Sequence, residues 1–510
     1  MKTVCELFER VAGAIIVGNG KICPSVLITD SRRVIPGALF FAIDGLRTRG
    51  ALFAEEAVAQ GACAVATRER LKLPESVTQI IVPDVSRAAA VVAATFYGVP
   101  QAGLKLVGVT GTNGKTSVTS IVRFLMMCQS RENSPWGLIG TVRYELGARS
   151  MPSYKTTPEA IDVTALLAEM RDNACAGAVM EVSSHAISQN RVYDLPFDVV
   201  AFTNLTQDHM DYHGDMENYF SVKSRLFDGS QGVFPRAAIL NADDVYGMRL
   251  REKTAPQTQV LTFGTENEKR IEHPDFEASR IVLDSAGSRF SLSFPGGNID
   301  VKTSLPGNYN VSNVICALAI VYALGGDVVR AAGDLSAFDG VPGRMERVGE
   351  NPFPFDVFVD YAHTDDALSN ALGMLKRITN GKLFVVFGCG GNRDRGKRPK
   401  MTEAVQRFAD FSWATSDNPR KEPIEQIFED MRKGVSDTGK ILFEPDRRRA
   451  IGLALETAQV GDVVLIAGKG HETYQEFAEI TLPFDDKRVA QELLALLSCR
   501  RSASSSSPHK

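Results

Sequence analysis

The stretch Val107-Gly108-Val109-Thr110-Gly111-Thr112-Asn113-Gly114-Lys115-Thr116 decides the fold, because it predicts a buried strand, a glycine turn and the start of a helix. Backbone N–H groups at such a turn bind phosphate, a lysine adds positive charge and a threonine hydroxyl can hold Mg²⁺. The standard pattern would need a glycine at position 109, where this chain has Val109. The compact form T-G-T-x-G-K-T still predicts a nucleotide site, and a glycine-rich turn without a ligand is the alternative.

Length and composition predict a globular protein with several domains. The chain has 510 residues, of which 44% are hydrophobic and 23% are charged, as in ordinary globular proteins. A net charge of −4 argues against general nucleic-acid binding, so no nucleic-acid partner is expected. The eight cysteines form no C-x-x-C pair, which argues against a zinc site and favours a reducing cytoplasm. The apolar segment Val11–Gly18 is too short to cross a bilayer, and we expect a cytoplasmic monomer without membrane insertion.

The alternation of apolar runs and breaks predicts an α/β protein with three domains and a tail. Residues 1–97 form a small α/β domain. Residues 98–340 begin with the phosphate-loop strand and alternate between strand and helix, which predicts a mostly parallel sheet. Strands without intervening helices between Leu261 and Leu305 predict a small antiparallel appendage. Residues 341–498 begin at a Pro/Gly hinge and predict a Rossmann-like domain, and residues 499–510 predict a disordered tail.

Polar side chains follow the buried strands of the central domain. Glu181 ends one apolar run, Asp208 and His209 follow another, and Lys223 lies on the next predicted helix. Because open α/β sheets bind ligands at the carboxyl ends of their strands, these side chains are expected near the phosphate loop. Mg²⁺ takes oxygen ligands and phosphate oxygens, which favours Thr116 and Glu181 as ligands and leaves His209 for a second metal.

The third domain shows four apolar strands that each end in polar residues. Its Gly388–Gly391 segment is not G-x-G-x-x-G, so dinucleotide binding is only weakly indicated. Asp360 and His363 end one of these strands and would face the nucleotide if the hinge closes. A basic loop favours an anionic substrate over a solvated run of charges: Arg393, Arg395, Lys397 and Arg398.

A set of ordered motifs extends from about residue 28 to about residue 475. They are T-G-T-N-G-K-T at 110–116, T-T-P-E at 156–159, M-E-V-S-S-H-A at 180–186, F-T-N-L-T-Q-D-H-M-D-Y-H-G at 202–214, N-A-D-D at 241–244, N-Y-N-V-S-N at 308–313, V-P-G-R-M-E at 341–346, D-Y-A-H at 360–363, G-C-G-G-N-R-D-R-G-K-R-P at 388–399, D-N-P-R at 417–420 and G-K-G-H-E at 468–472. Together they closely resemble the Mur ligases, ATP-dependent enzymes that add amino acids to the peptidoglycan precursor.

The resemblance implies that the three domains bind UDP, ATP and an amino acid in that order. ATP would phosphorylate the D-glutamate side-chain carboxylate of UDP-N-acetylmuramoyl-L-alanyl-D-glutamate, and an amine would attack the acyl phosphate. Lys115, Glu181, His209 and Lys223 would be catalytic. The metal ligands would be Thr116, Glu181, His209 and Lys223, the last as a carbamate (N6-carboxylysine). The ATP-binding residues would be Gly111, Thr112, Asn113, Gly114, Lys115, Thr116, Ser117, Asn310, Arg344, Asp360 and His363.

The resemblance also implies the two remaining substrate sites. The residues that would bind the UDP-muramoyl dipeptide are Ser31, Thr156, Thr157, Ser183, Gln189 and Arg191. The segment Thr48–Ala51 departs from the Asp-Gly-His type sequence that is frequent in the family, so its uridine contacts stay open. Members with D-N-P-R are associated with meso-diaminopimelate, whose distal carboxylate a guanidinium can bind. The residues that would bind this amine are Arg393, Asp417, Asn418, Pro419, Arg420, Gly468 and Glu472.

Two other activities remain open from the sequence. A lysine-adding ligase would share most of these motifs, although D-N-P-R argues against it. A P-loop kinase or NTPase would use the same phosphate loop without an amine, although the chain has no H-R-D or D-F-G pattern of a protein kinase.

Overall fold

The computed structural model describes residues 1–45, 48–98, 103–130, 134–267, 272–284 and 287–505. Three α/β units follow one another along the chain, each built on its own main sheet. This confirms the predicted fold class. Residues 99–102, next to the predicted boundary between the first two domains, and the end of the predicted tail (506–510) lie outside the described residues.

The N-terminal unit consists of β1 (Ile15–Val17), β2 (Val26–Ile28), β3 (Ala38–Phe41), β4 (Ala64–Thr67) and β5 (Thr78–Ile81) with helices α1 (Val4–Phe8), α2 (Ala54–Ala59) and α3 (Val85–Phe96). The strand order is β1-β5-β4-β3-β2, with β1 antiparallel and the others parallel. Every residue of β3 and β4 is buried, which explains why these strands read as continuous apolar runs. Asp84 caps α3 by accepting from the backbone N–H groups of Ser86 and Arg87.

The described residues of the central unit form eleven strands in one sheet: β6 (Lys105–Thr110), β7 (Trp136–Ile139), β8 (Arg143–Glu145), β9 (Ser150–Pro152), β10 (Gly177–Glu181), β11 (Val199–Phe202), β12 (Ala237–Asn241), β13 (Gln259–Thr265), β14 (Phe276–Asp284), β15 (Gly287–Phe294) and β16 (Gly297–Thr303). Its helices are α4 (Lys115–Gln129), α5 (Ala160–Asp172), α6 (Ser184–Ser188), α7 (Met210–His213), α8 (Met216–Ser224), α9 (Val245–Lys253), α10 (Asn308–Ala323) and α11 (Val328–Asp334). The strand order is β16-β15-β14-β13-β12-β11-β6-β10-β7-β8-β9. Helices cover both faces, so each face has its own apolar core.

The predicted antiparallel appendage is part of this sheet and not a separate body. β13 pairs parallel with β12, and β14 pairs parallel with β13. In this part of the sheet, only the β14–β15 and β15–β16 pairs are antiparallel. The sequence did not indicate this because apolar runs mark where strands lie but not which strands they pair with, and the direction of pairing depends on the path of the connection.

Neighbouring strands of the central sheet bring the predicted polar tips together. β6 lies between β10 and β11, and all three run parallel. Glu181 pairs with Val109, and Phe202 pairs with Thr110, so the three strands end at one level. The predicted polar residues therefore lie together at the carboxyl ends of these central strands, where open α/β sheets bind ligands.

The C-terminal unit consists of β17 (Glu346–Arg347), β18 (Asp356–Asp360), β19 (Leu383–Cys389), β20 (Phe411–Ser416), β21 (Ile441–Phe443), β22 (Val463–Ala467), β23 (Tyr474–Phe477) and β24 (Ile480–Pro483), with α12 (Asp365–Ile378), α13 (Lys397–Phe408), α14 (Ile424–Arg432), α15 (Arg447–Thr457) and α16 (Asp486–Ser505). The main sheet has the order β17-β18-β22-β19-β20-β21, and β23 and β24 form a hairpin. Helix α16 runs to Ser505, beyond the position at which the sequence predicted the disordered tail to begin.

Candidate active site

The phosphate loop lies between the end of β6 and the start of α4. Gly111 and Gly114 have φ values of +144° and +87°, in the region that favours glycine. A Cβ at Gly111 would collide with the Thr203 hydroxyl, and one at Gly114 with the Asn313 amide. Val109 is buried inside β6. The turn thus begins only at Gly111, and no glycine is needed at position 109.

Lys115 is the first residue of α4 and lies within the loop. Its Nζ donates to the carbonyl oxygens of Gly111 at 2.9 Å and Thr112 at 2.8 Å. Burial lowers the pKa of Lys115, and the carboxylates of Glu181 and Asp208 oppose that shift. The side chain therefore places an amino group inside the loop whose N–H groups would cradle a phosphate.

Glu181 organises the neighbouring strand ends. Its Oε2 accepts from the hydroxyls of Thr116 at 3.1 Å and Thr141 at 3.0 Å, and its Oε1 accepts from the Thr141 backbone N–H at 2.8 Å. The residue is 1% exposed. A buried carboxylate beside a threonine hydroxyl is a set of hard oxygen ligands of the kind that Mg²⁺ prefers.

Asp208 and His209 lie where the chain enters α7. His209 has a φ of +55°, and its Nε2 lies 3.4 Å from Asp208 Oδ2. Burial alone would raise the pKa of Asp208, but His209, His363 and Lys115 together hold this pKa below its usual value. Among the described residues, no group of three or more His, Cys, Asp or Glu side chains could hold a metal by itself. A metal here would therefore share its coordination with a phosphate or another ligand.

Lys223 lies behind the phosphate loop and does not line the nucleotide cavity. Its Nζ donates to Gly111 O at 3.0 Å and Thr110 Oγ1 at 3.4 Å, and lies 4.8 Å from the ring centroid of Tyr219. The residue is 1% exposed. Burial, together with the charge of Lys115, lowers the pKa of Lys223 well below its ordinary value. A neutral, nucleophilic amine is thereby favoured.

Residues of the C-terminal unit reach across to the phosphate loop. Arg344 Nη2 donates to Thr116 Oγ1 at 3.2 Å. Asp366, in the first turn of α12, accepts from Asn113 Nδ2 at 3.0 Å and Thr206 Oγ1 at 3.2 Å. The two units therefore close over the loop in this structure.

A cavity of about 430 Å³ lies between the two units. Thr141, Glu181, Asp208 and His209 also line it. The predicted ATP-binding residues that line it are Thr112, Asn113, Gly114, Lys115, Thr116, Ser117, Asn310, Arg344, Asp360 and His363. Gly111, the remaining predicted ATP-binding residue, is not among the residues that line the cavity.

Asp360 and His363 are held by the backbone at the end of β18. Asp360 accepts from the N–H groups of Met345 at 2.6 Å and Ala362 at 2.8 Å, while burial raises its pKa. His363 Nδ1 lies 2.8 Å from Tyr361 O. Burial and Lys397 lower the pKa of His363 to about 4. The imidazole is therefore neutral at neutral pH, with Nε2 free of a proton when Nδ1 donates.

The predicted dipeptide-binding residues are gathered beside Glu181. Thr157 Oγ1 donates to Glu181 O at 2.7 Å, and Thr156 Oγ1 lies 3.2 Å from Thr141 Oγ1. Arg191 donates to Thr157 O at 2.8 Å and to Gln189 Oε1 at 2.6 Å. The structure thus brings together Thr156, Thr157, Ser183, Gln189 and Arg191.

Ser31 lies apart from this group, in the N-terminal unit. Its hydroxyl donates to Glu56 Oε2 at 2.8 Å, and the residue is buried. In the nearby segment Thr48–Ala51, Arg49 pairs with Glu69. A Cβ at Gly50 would collide with the backbone of the residue after β3. The segment is therefore packed tightly around its glycine.

The predicted amine-binding residues converge at the carboxyl ends of β19, β20 and β22. Asn418 Nδ2 donates to Glu472 Oε2 at 2.8 Å. Arg420 contacts Glu476 through Nε at 2.8 Å and donates through Nη1 to Gly391 O at 3.0 Å. A Cβ at Gly468 would come 2.7 Å from Asp417 Oδ2, so a larger residue would displace this carboxylate. Pro419 is buried under the cluster, and Arg393 is exposed at its rim.

The prediction that the whole basic loop faces an anionic substrate is wrong for two of its cations. Arg398 is fully buried and contacts Glu422 at 2.7 Å and Asp430 at 3.0 Å. Arg395 contacts Asp430 at 2.8 Å. The acidic partners lie on later segments of the chain, so the spacing of the basic residues did not reveal them.

Sequence reasoning missed several residues that the structure places in or beside the site. Thr141 follows β7, and its position after a strand end could have predicted that it lies in the site. Asp366 lies in an acidic first turn of α12, where carboxylates usually complement the helix dipole. Lys469 lies in the G-K-G-H-E motif and is fully buried beside Glu472. For these last two, no local pattern indicated the contact.

Fold and site define a three-domain α/β protein with a phosphate loop in a cleft between its second and third domains. Models of the Mur ligase family match along most of the chain: the "Mur ligase family, catalytic domain" at residues 25–97, the "Mur ligase middle domain" at 109–321 and the "Mur ligase, glutamate ligase domain" at 343–470. The chain belongs to the Mur ligase family. Within the described residues, no helix is long and apolar enough to span a membrane.

Two curated relatives and one solved structure that the chain resembles carry the same name. The chain is 44% identical over 467 residues to the UDP-N-acetylmuramoyl-L-alanyl-D-glutamate--2,6-diaminopimelate ligase of Geobacillus kaustophilus, covering 91% of this chain and 93% of the relative. The enzyme of the same name from Listeria monocytogenes EGD-e is 41% identical over 487 residues, covering 94% and 96%. A solved structure with this name matches with a TM-score of 0.69 and 31% identity, covering 98% and 99%. The MurF ligase of Thermotoga maritima, solved with ADP, shares the fold at 18% identity and a TM-score of 0.59, covering 94% and 98%.

Proposed function

We propose that the chain is an ATP-dependent ligase that joins meso-2,6-diaminopimelate to the D-glutamate side-chain carboxylate of UDP-N-acetylmuramoyl-L-alanyl-D-glutamate. The observation that carries this proposal is the closed cleft, in which Arg344 reaches Thr116 of the phosphate loop beside Glu181. Relatives that share 41–44% of its residues bear the name of this reaction. Because the proposed substrates are ATP and a nucleotide-linked precursor, we expect the chain to act in the cytoplasm.

In phosphoryl transfer, the side chains of the protein would position the reacting groups and neutralise the negative charge of the phosphates. Lys115 and Arg344 both place cationic groups in the cavity, and Arg344 contacts Thr116 next to Lys115. Phosphoryl transfer needs alignment of the attacking carboxylate and compensation of the charge on the phosphoryl oxygens. The β- and γ-phosphates would lie on the loop N–H groups with the γ-phosphoryl group toward Glu181.

Magnesium fits the oxygen donors beside the loop. Thr116 and Glu181 would hold it, and His209 lines the same cavity. When bound, Mg²⁺ would compensate the negative charge of the phosphates. Thr141 fixes both oxygens of Glu181 and so keeps the carboxylate oriented.

We also propose that Lys223 is carbamylated. The amine nitrogen would attack CO₂, form the N–C bond of a carbamate and release a proton. Burial supports this step because it favours the neutral amine. The resulting anion would lie beside the Gly111 carbonyl and Lys115, and small side-chain movements would be needed to turn it toward the cavity.

The acyl-transfer steps would follow at the same place. A carboxylate oxygen of the D-glutamate residue takes the γ-phosphoryl group and ADP leaves. The neutral amine of diaminopimelate then attacks the carbonyl carbon, the C–O bond to phosphate breaks, and the amine nitrogen loses a proton. Thr156, Thr157 and Arg191, which are gathered next to Glu181, would hold the dipeptide for this attack.

The amine would be selected by its distal end. Arg420 offers a guanidinium that matches a carboxylate, and Glu472 offers an anion for the distal ammonium. Asp417, Asn418 and Gly468 shape the space between them. Lysine lacks the carboxylate and would leave Arg420 without its ligand.

One assay tests the proposal. Phosphate release from ATP is measured with UDP-N-acetylmuramoyl-L-alanyl-D-glutamate in the presence of diaminopimelate, L-lysine or no amine, and products are identified by mass spectrometry. We expect rapid release only with diaminopimelate, coupled to a tripeptide product. Equal or better use of lysine would contradict the amine assignment. Hydrolysis of ATP at the same rate without any amine would contradict the ligase itself.

A further inference from the structure

The buried side chain of Lys469 lies among the predicted amine-binding residues and has no role in the reaction described so far. Lys469 is fully buried, and its Nζ contacts Glu472 Oε2 at 3.0 Å and Asn418 Oδ1 at 3.1 Å. The same Nζ lies 5.5 Å from the ring centroid of Tyr474. Since it is buried, Lys469 acts on a ligand only through these neighbours.

The contacts of Lys469 leave one oxygen of Glu472 for a ligand. Lys469 and Asn418 both donate to Oε2. Among the described side chains no donor is recorded on Oε1, and the Glu472 side chain is 18% exposed. Charge-assisted bonds of this kind fix a carboxylate in one orientation. Glu472 therefore presents a single oriented oxygen toward the amine site.

Lys469 also sets the charge balance of the cluster. Asp417, Glu472 and Glu476 contribute carboxylates, while Lys469, Arg420 and the exposed Arg393 contribute cations. Diaminopimelate carries two ammonium and two carboxylate groups and is neutral overall, whereas lysine carries one net positive charge. A fixed buried cation beside Glu472 weakens the attraction for an additional net positive charge.

We propose that Lys469 is a positioning residue that orients Glu472 and selects the neutral diamino diacid over lysine. This inference rests on the proposed function, because it concerns the amine of that reaction. It adds a selectivity element that is distinct from Arg420: Arg420 recognises the distal carboxylate directly, while Lys469 acts through the charge and orientation of Glu472.

Three substitutions at one position separate charge from packing. Lys469→Met removes both the charge and the hydrogen bonds, Lys469→Gln keeps a donor but removes the charge, and Lys469→Arg keeps the charge. Lys376→Met is the matched control, because Lys376 forms a 2.6 Å ion pair with Asp410 at the opposite end of the same sheet. For each variant, kcat and KM are measured with diaminopimelate and with lysine, together with KM for ATP and the UDP-dipeptide.

We expect Lys469→Met to raise KM for diaminopimelate by about 10- to 100-fold, the usual size for a lost charge-assisted bond. In Lys469→Met and Lys469→Gln, the ratio of kcat/KM for diaminopimelate to that for lysine should fall at least about fivefold. Lys469→Arg should keep most of this ratio, and the KM for ATP should stay within about twofold in all variants. Lys376→Met should behave like the wild type.

The proposal would be overturned if Lys469→Gln left the ratio of kcat/KM for diaminopimelate to that for lysine unchanged. It would also be overturned if this ratio fell equally in Lys469→Arg and Lys469→Gln. If Lys469→Met fails to fold, the glutamine and arginine variants still decide the question. If the wild type used neither amine, the proposed function would fall. Calorimetric titration of diaminopimelate into wild type and Lys469→Gln would then show whether Lys469 supports its binding, with equal affinities counting against it.

Discussion

Lys223 shows how strongly the environment changes a single side chain. An exposed lysine is protonated, but this one is buried behind the phosphate loop with Gly111 O and the Tyr219 ring as neighbours. Removing an ammonium group from water is costly. The same burial lowers its pKa and so favours the neutral amine that the proposed reaction with CO₂ requires.

Lys223→Ala should lose at least about 100-fold in kcat, a size usual for a lost group that acts in the transition state. Because the proposed carbamate supplies a carboxylate-like anion, added acetate or formate should restore part of the activity. The measurement is steady-state phosphate release with and without the carboxylate. Full activity of the unrescued variant would refute the modification.

Arg420→Lys should raise KM for diaminopimelate by about tenfold or more, because an ammonium cannot form the two parallel bonds that a guanidinium makes with a carboxylate. KM for ATP should stay unchanged. The control is Lys421→Ala, which removes the neighbouring exposed cation that pairs with Glu479 at 2.9 Å. An unchanged KM in Arg420→Lys, which keeps the positive charge, would show that Arg420 contributes only net charge.

At the scale of elements, a buried charge network joins the loops after β19 and β20. Arg398 of α13 contacts Glu422 and Asp430, and donates to Gly390 O at 3.2 Å. Glu422 Oε2 also accepts from the Asn392 backbone N–H at 2.9 Å. The network thus fixes the two loops that carry Arg393 and the D-N-P-R segment.

The network predicts that the protein loses part of its free energy of unfolding at acid pH. The bond from Arg398 lowers the pKa of Glu422 from 4.5 to about 2. Because the folded pKa lies below the unfolded one, the stability from Glu422 is complete above about pH 4.5 and is lost as the pH falls toward 2. Urea unfolding of wild type and Glu422→Gln between pH 6 and 2 should show the free energies of unfolding converging at the acid end. A difference that stays constant with pH would contradict this assignment.

At the scale of the whole molecule, the nucleotide cavity exists only because two domains meet. Asp366 of α12 accepts from Asn113 and Thr206, and Arg344 donates to Thr116. These bonds link the phosphate loop directly to the C-terminal unit. We therefore expect nucleotide binding at the loop to be coupled to domain closure, since both would use the same residues.

Asp366→Ala should weaken this closure and raise KM for ATP by about three- to tenfold. This is the change in affinity expected when one or two hydrogen bonds are lost. Small-angle scattering of the unliganded variant should show a larger radius of gyration than the wild type. Asp365→Ala, in the same helical turn, is the control. If Asp366→Ala matched the control in both measurements, Asp366 would not hold the domains together.

The sequence by itself determined the parts of this protein that depend on local pattern. The glycine turn at Gly111 and Gly114, the Lys115–Thr116 pair and Glu181 at a strand end all follow from spacing, because backbone conformation and strand ends are local properties. The alternation of apolar runs and breaks predicted the three-domain class, and the ordered motifs then predicted the family.

Only the tertiary structure decided which side chains meet across long distances in the chain. Asn113 and Asp366 are separated by 253 positions, and the buried pairing of Arg398 depends on residues from a later helix. Local spacing reports the face on which a residue lies, but contacts between domains depend on how the packed units fit together. For the same reason, the phosphate loop could be found in the sequence, while its closure by Asp366 and the buried ammonium of Lys469 could not.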